Sequence, residues 1–167
     1  MRKMILGLTV LAVLALVPSA VFADFGVGGA AFYKSPVLIG APPDPLALNV
    51  DQISFGGDVR LKLGWFQAEA LLLYSTGQVN SLNMYLDAGV ALDIAILRLS
   101  LGVGPNLANA FDPGATVQAG LNAKIGADLK FGPISVGASY IMSMNLASGV
   151  NVATNAGLLG IQVLFWL

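Results

Sequence analysis

The 167-residue chain has no cysteine and no histidine, and only 10% of its residues are charged. Without cysteine there are no disulfides and no thiolate metal ligands. Without histidine the usual general base of nucleophilic catalysis is missing, as is the commonest metal-binding nitrogen. So little charge beside a hydrophobic share of 56% is too little for an ordinary soluble surface. Beyond the N-terminus the chain also lacks a long apolar run. The best later stretch, 88–104, is interrupted by Asp93 and Arg98, each costing roughly 2.5–3.5 kcal/mol near the centre of a spanning helix. High apolarity without a spanning helix points to strands.

The N-terminus reads differently from the rest. Met1-Arg2-Lys3-Met4 is a short basic segment, Ile5 to Val17 is an uncharged apolar run, and Pro18-Ser19 breaks it before Val21-Phe22-Ala23. This is the pattern of a cleavable secretory signal at 1–23, and the run is shorter than the roughly 20 residues of a membrane anchor. Cleavage after Ala23 leaves 144 residues, enough for one domain. Removing Arg2 and Lys3 leaves six basic and nine acidic residues, a net charge of −3. An acidic domain of this kind excludes nucleic acid as a partner.

Clusters of Gly, Pro, Asn and Asp cut 24–167 into eight segments of strand length. They fall near 25–33, 53–63, 66–75, 82–92, 97–105, 115–129, 134–144 and 157–167. Connections at 64–65, 93–96 and 130–133 are tight, whereas 34–52, 76–81, 106–114 and 145–156 are long. Within the segments a period of two separates the residues. One face carries Val59, Leu61, Ala68, Ala70, Leu72, Leu86, Val90, Leu99, Leu101, Leu121, Ile125, Val136, Ile161 and Val163, with no charge among them. The other carries Asp58, Arg60, Lys62, Glu69, Asp87, Asp93, Arg98, Lys124, Asp128 and Lys130, five acids and five bases, interspersed with glycine.

Hairpin parity supports these faces, because residues closing an antiparallel turn point the same way. Leu63 and Phe66, Leu92 and Leu97, and Leu129 and Ile134 each flank an even-length turn, and the apolar face switches between odd and even numbering at each. The expected fold is therefore all-β: an eight-stranded antiparallel up-and-down transmembrane β-barrel at 24–167, apolar toward lipid and polar within. A lipocalin-like soluble barrel needs the reverse arrangement. Gly26, Gly28 and Gly29 open no helix and follow no strand, so they do not make a dinucleotide loop.

The segmentation, the loop asymmetry and the closing segment Leu159 to Leu167 together resemble the small eight-stranded outer-membrane barrels, such as the OmpX group and the membrane domain of OmpA. The resemblance covers the whole of 24–167. It implies residence in the outer membrane of a two-membraned bacterium after Sec-type export, contact with outer-membrane lipid, and recognition of the terminal strand by the barrel-assembly machinery. Here Phe165 and Trp166 precede a terminal Leu167. Enzymes of this class rely on His with Ser or Asp, and no such set exists here.

Pairing Leu63 with Phe66 sets Arg60 opposite Glu69, so a cross-strand ion pair is expected in the lumen. Buried charges must be paired, and Asp58, Lys62, Asp87, Asp93, Arg98, Lys124, Asp128 and Lys130 are available to extend the network. The pairs can plug the lumen or line a narrow conduit for small solutes. The first long connection, 34–52, is unusually apolar, with Val37, Leu38, Ile39, Pro42, Pro43, Leu46 and Leu48 as candidate contacts for an extracellular partner. Aromatics near strand ends, Phe25, Trp65, Phe66, Phe131, Phe165 and Trp166 at one end and Phe32, Tyr33, Phe55 and Tyr74 at the other, are expected to form interfacial girdles. No catalytic residue, cofactor or metal site is expected.

Overall fold

The computed structural model describes residues 23–35, 50–76, 80–110, 117–145 and 157–167. Residues 1–22 of the expected signal segment at 1–23 and the connection residues Val37 to Leu48 lie outside them. Eight antiparallel strands follow one another: β1 (Ala23–Ser35), β2 (Ile53–Leu63), β3 (Phe66–Ser75), β4 (Ser81–Ile94), β5 (Leu97–Ala110), β6 (Gln118–Phe131), β7 (Ile134–Asn145) and β8 (Gly157–Trp166). Each pairs with its sequence neighbours, and β1 pairs with β8, so the barrel is closed. Closure leaves no sheet edge unpaired, which is what allows strands to sit in hydrocarbon.

The pairings give the barrel its dimensions. From Asp24 the partners run through Lys62, Gln67, Gly89, Gly102, Lys124, Ile141 and Leu158, and Leu158 returns to β1 at Lys34. One circuit therefore climbs from position 24 to position 34 of the same strand, a shear of ten. An even offset keeps the inward face inward after a full turn. With ~3.3 Å per residue and ~4.8 Å between strands, this shear tilts the strands by about 41° and gives a backbone diameter of about 16 Å. Such a barrel is narrow enough for side chains to close its middle.

Sidedness follows the period of two. Large apolar residues such as Leu61, Leu101, Ile125, Ile161 and Val163 stand exposed around the outside, while Asp58, Arg60, Glu69, Arg98, Lys124 and Asp128 are buried within. Among the described residues, no outward-facing strand residue carries a charge.

Several boundaries differ from the sequence expectation. The connections at 93–96 and 130–133 shrink to the two-residue turns Ala95-Ile96 and Gly132-Pro133, so Leu92 pairs with Leu99 and Leu129 with Val136. Both errors were of two residues, so parity and facing survived them. A positive φ at Gly64, Ala95 and Gly132 begins each tight turn, and such a φ suits the right-handed twist of a two-residue hairpin. β5 passes through Pro105 to Ala110 instead of ending there. Proline lacks a donor, and the β4–β5 ladder skips Leu86 and Asp87 opposite Gly104 and Pro105, but Pro105 still pairs with Leu121 on β6 and pairing with β4 resumes at Asn106. β6 begins at Gln118 instead of 115.

Two aromatics expected in the girdles are inside. Phe32 and Trp166 have inward parity and are buried, whereas Phe25, Trp65, Phe66, Phe131 and Phe165 are exposed at the short-turn end. Phe55 and Tyr74 meet edge to face, with ring centroids 5.8 Å apart, toward the other end.

Candidate functional site

The lumen is the place where chemistry-bearing side chains converge, and along the barrel axis it has four tiers. At the short-turn mouth Asp93 gathers three cations: Arg98 Nε at 2.6 Å, Lys62 Nζ at 3.1 Å and Lys130 Nζ at 3.6 Å. Asp24 adds a second carboxylate, 3.3 Å from Arg98 Nη2. The Arg98 guanidinium also lies over the Trp166 ring, 4.1 Å from its centroid, and the indole Nε1 donates to Ser135 Oγ at 2.8 Å. Trp166 thus closes the mouth from within, holding a cation on its face and a hydroxyl on its edge.

Above this mouth Arg60 is the hub of a second, fully enclosed tier. Its Nε and Nη2 donate to Asp58 Oδ2 at 3.0 and 2.8 Å, its Nη1 donates to Asp128 Oδ2 at 2.9 Å, and Glu69 Oε2 lies 3.4 Å from Nε. Nη2 also donates to Gln162 Oε1 at 2.8 Å, and Gln162 Nε2 donates to Ser139 Oγ at 2.6 Å. Lys124 Nζ bonds Glu69, and Asn122 donates to Asp87. Arginine suits the hub because its planar fork addresses several carboxylates at once. The tier holds four carboxylates, Asp58, Glu69, Asp87 and Asp128, against two cations, Arg60 and Lys124. Among the described residues, Asp58 Oδ1 and Asp87 Oδ2 have no hydrogen-bond partner.

Small residues make room for these charges. A Cβ at Gly137 would fall 1.9 Å from Asp128 Oδ1, and one at Gly26 would touch the Trp166 ring at 3.0 Å. The barrel can hold an ionic tier because its neighbours on the same level have no side chain.

A third tier is apolar. Phe32, Leu71, Leu73, Tyr85 and Ile141 are buried together with Ala30 across the lumen, and Leu158 packs against them. Sequence reading took the interior to be polar throughout and missed this septum. Its residues share the inward parity of the charges, but Leu71, Leu72 and Leu73 form a continuous apolar run whose two faces look alike. Asp24, Gln162, Asn122 and Trp166 also went unrecognised, although Gln162, flanked by outward Ile161 and Val163, carried the signal in its parity.

The fourth tier is an open polar basin of about 440 Å³ at the long-connection end. All eight strands contribute to its lining. Of the sequence-derived site residues, the ten charges fall in the first two tiers, none reaches the basin, and the candidates Val37 to Leu48 lie outside the described residues.

Two solved structures share this architecture. The N-terminal β-barrel domain of OprF from Pseudomonas aeruginosa superposes with a TM-score of 0.63 at 16% identity, over 85% of this chain and 97% of that one. The fold is that of the small bacterial outer-membrane barrels. Neisserial surface protein A, another barrel of this kind, matches with a TM-score of 0.54 at 15% identity, over 86% of this chain and 96% of its own. No protein-family model and no curated protein sequence matches the chain. The likeness between this outer-membrane-type barrel and the two structures is one of fold.

Proposed function

We propose that the protein is a non-enzymatic barrel of the bacterial outer membrane with a structural or surface-interaction role, its lumen plugged by its own side chains. One observation carries this reading: a buried apolar septum lies directly on a salt-bridged tier whose hub, Arg60, is 1% exposed. An ion crossing the lumen would have to part buried pairs and then pass hydrocarbon, and both steps are costly. The tight turns then face the periplasm and the long connections the exterior. The leader at 1–23 directs Sec-type export, and the terminal strand with Phe165 and Trp166 is presented to the barrel-assembly machinery. Catalysis is not part of the reading, since the sequence offers no histidine base.

The alternative is a narrow conduit for small solutes. Planar-bilayer recording separates the two. A plugged barrel gives no stable single-channel steps, whereas steady openings altered by Arg60→Ala or Glu69→Ala would overturn the plug and favour the conduit. The surface role assigns partner contact to the apolar connection at 34–52. Deleting 36–48 is expected to abolish partner binding without unfolding the barrel, and unchanged binding would remove that connection from the account.

A further inference from the structure

We propose that the basin at the long-connection end is a binding cup for a neutral, hydroxyl-rich small molecule, a saccharide of one or two rings. The cup is blind, because Leu73, Tyr85 and Leu158 of the septum form its floor. Its volume of about 440 Å³ lies within the ~300–1,000 Å³ usual for small-ligand sites.

The chemistry of the wall selects the class. Ser54, Ser75, Asn83, Asn106, Gln118 and Ser143 supply hydroxyls and amides, with no charge among them. Each such group both donates and accepts, and so does each hydroxyl of a sugar. An anion would call for donors and cations, a cation for acceptors and carboxylates. Among the described residues the charges lining the basin are Lys34 and Asp51, one of each sign, so the described lining offers no net charge to recruit an ion.

The wall is also ordered in advance. Ser54 Oγ and Ser75 Oγ lie 2.6 Å apart, and Asn83 Nδ2 donates to both Ser75 Oγ and Ser81 Oγ at 3.2 Å. This ties β2, β3 and β4 into one polar wall whose hydroxyls keep unused lone pairs. Rigid strands holding oriented dipoles reduce the ordering cost of binding. The apolar floor suits the C–H face of a sugar ring.

The same hydroxyl-rich chemistry could come from a free sugar or from the glycan of an outer-leaflet lipid. The test uses the full barrel in detergent micelles, with folding of each variant checked by its heat-dependent gel shift. Saturation-transfer NMR with glucose and sucrose is expected to show a dissociation constant on the order of 1–10 mM. Asn83→Leu and, independently, Ser143→Val should each weaken binding about five-fold, a size typical of one lost hydrogen bond. Glycine betaine and inorganic phosphate should not compete. If sugar presented on a glycolipid in nanodiscs binds more tightly than the free sugar, the lipid glycan is the source; equal or weaker binding assigns the free sugar. No saturation transfer at sugar concentrations on the order of 100 mM, binding unchanged in both folded variants, or preference for phosphate or betaine would overturn the proposal. None of these outcomes depends on whether the lumen conducts.

Discussion

Removing the Arg60 guanidinium should unfold the barrel at a distinctly lower denaturant concentration. Arg60 is 1% exposed and donates four hydrogen bonds, two to Asp58, one to Asp128 and one to Gln162, with Glu69 beside it at 3.4 Å. Arg60→Ala leaves four carboxylates, Asp58, Glu69, Asp87 and Asp128, in the enclosed tier with Lys124 as the remaining cation. At an effective dielectric near 20, each contact at about 4 Å is worth roughly 4 kcal/mol before desolvation is charged against it. What survives as the measured cost of removing one partner of a buried pair is about 3–5 kcal/mol. Arg60→Lys keeps the charge but cannot reach three carboxylates at once, and should cost about 1.5–3 kcal/mol. Reversible urea unfolding in lipid vesicles, followed by the fluorescence of Trp65 and Trp166, gives both numbers. A double variant with Asp128→Asn should be less damaged than the sum of the single changes, because one of the stranded charges is then gone. An Arg60→Ala cost below about 1 kcal/mol, in the range of exposed ion pairs, would refute the claim that this tier is sealed from water.

Asp87→Asn should be close to neutral or stabilising, within about 1 kcal/mol, in the same unfolding assay. Asp87 already accepts from Asn122, its second oxygen has no partner, and the tier has an excess of carboxylates. Gly137→Ala should cost about 1–3 kcal/mol by overpacking, since the new methyl would meet Asp128 and press it off Arg60. Arginine scanning of the outside should depend on depth. Ile125 is midway along β6 and Ile125→Arg should cost about 2–4 kcal/mol, whereas Leu121→Arg, on the same face nearer the long-connection end, should cost less. Equal costs at the two sites would mean that the bilayer does not straddle β6 as described.

Much of this was legible in the sequence because a strand carries its facing as parity. Arg60 and Glu69 share a register position through one two-residue turn, Gly64-Trp65, and the structure pairs them. Turn lengths at Ala95-Ile96 and Gly132-Pro133 were overestimated, because Asp93 and Lys130 look like turn residues while belonging to the charged mouth of the lumen. Parity absorbed those errors, since each shifted the register by two. Where both faces of a strand are apolar, as at Leu71-Leu72-Leu73, composition stops distinguishing inside from outside, and the septum was lost. Trp166 misled for a related reason. A terminal aromatic suits a lipid interface, but its number puts it in the lumen, where Arg98 and Ser135 satisfy its face and its edge. The basin was invisible because its lining comes one to three residues from each strand, and Ser, Asn and Gln near strand ends read as ordinary turn chemistry.

The central claim is that the barrel is oily on its outside and ionic along its axis. Cysteine placed singly at positions 61, 125, 60 and 124 of the otherwise cysteine-free chain, then challenged with a thiol-reactive probe confined to the acyl chains, tests it most directly. Label at 61 and 125 with silence at 60 and 124 is the predicted result. Reaction at 60 and 124 with protection at 61 and 125, in variants that still fold, would contradict it.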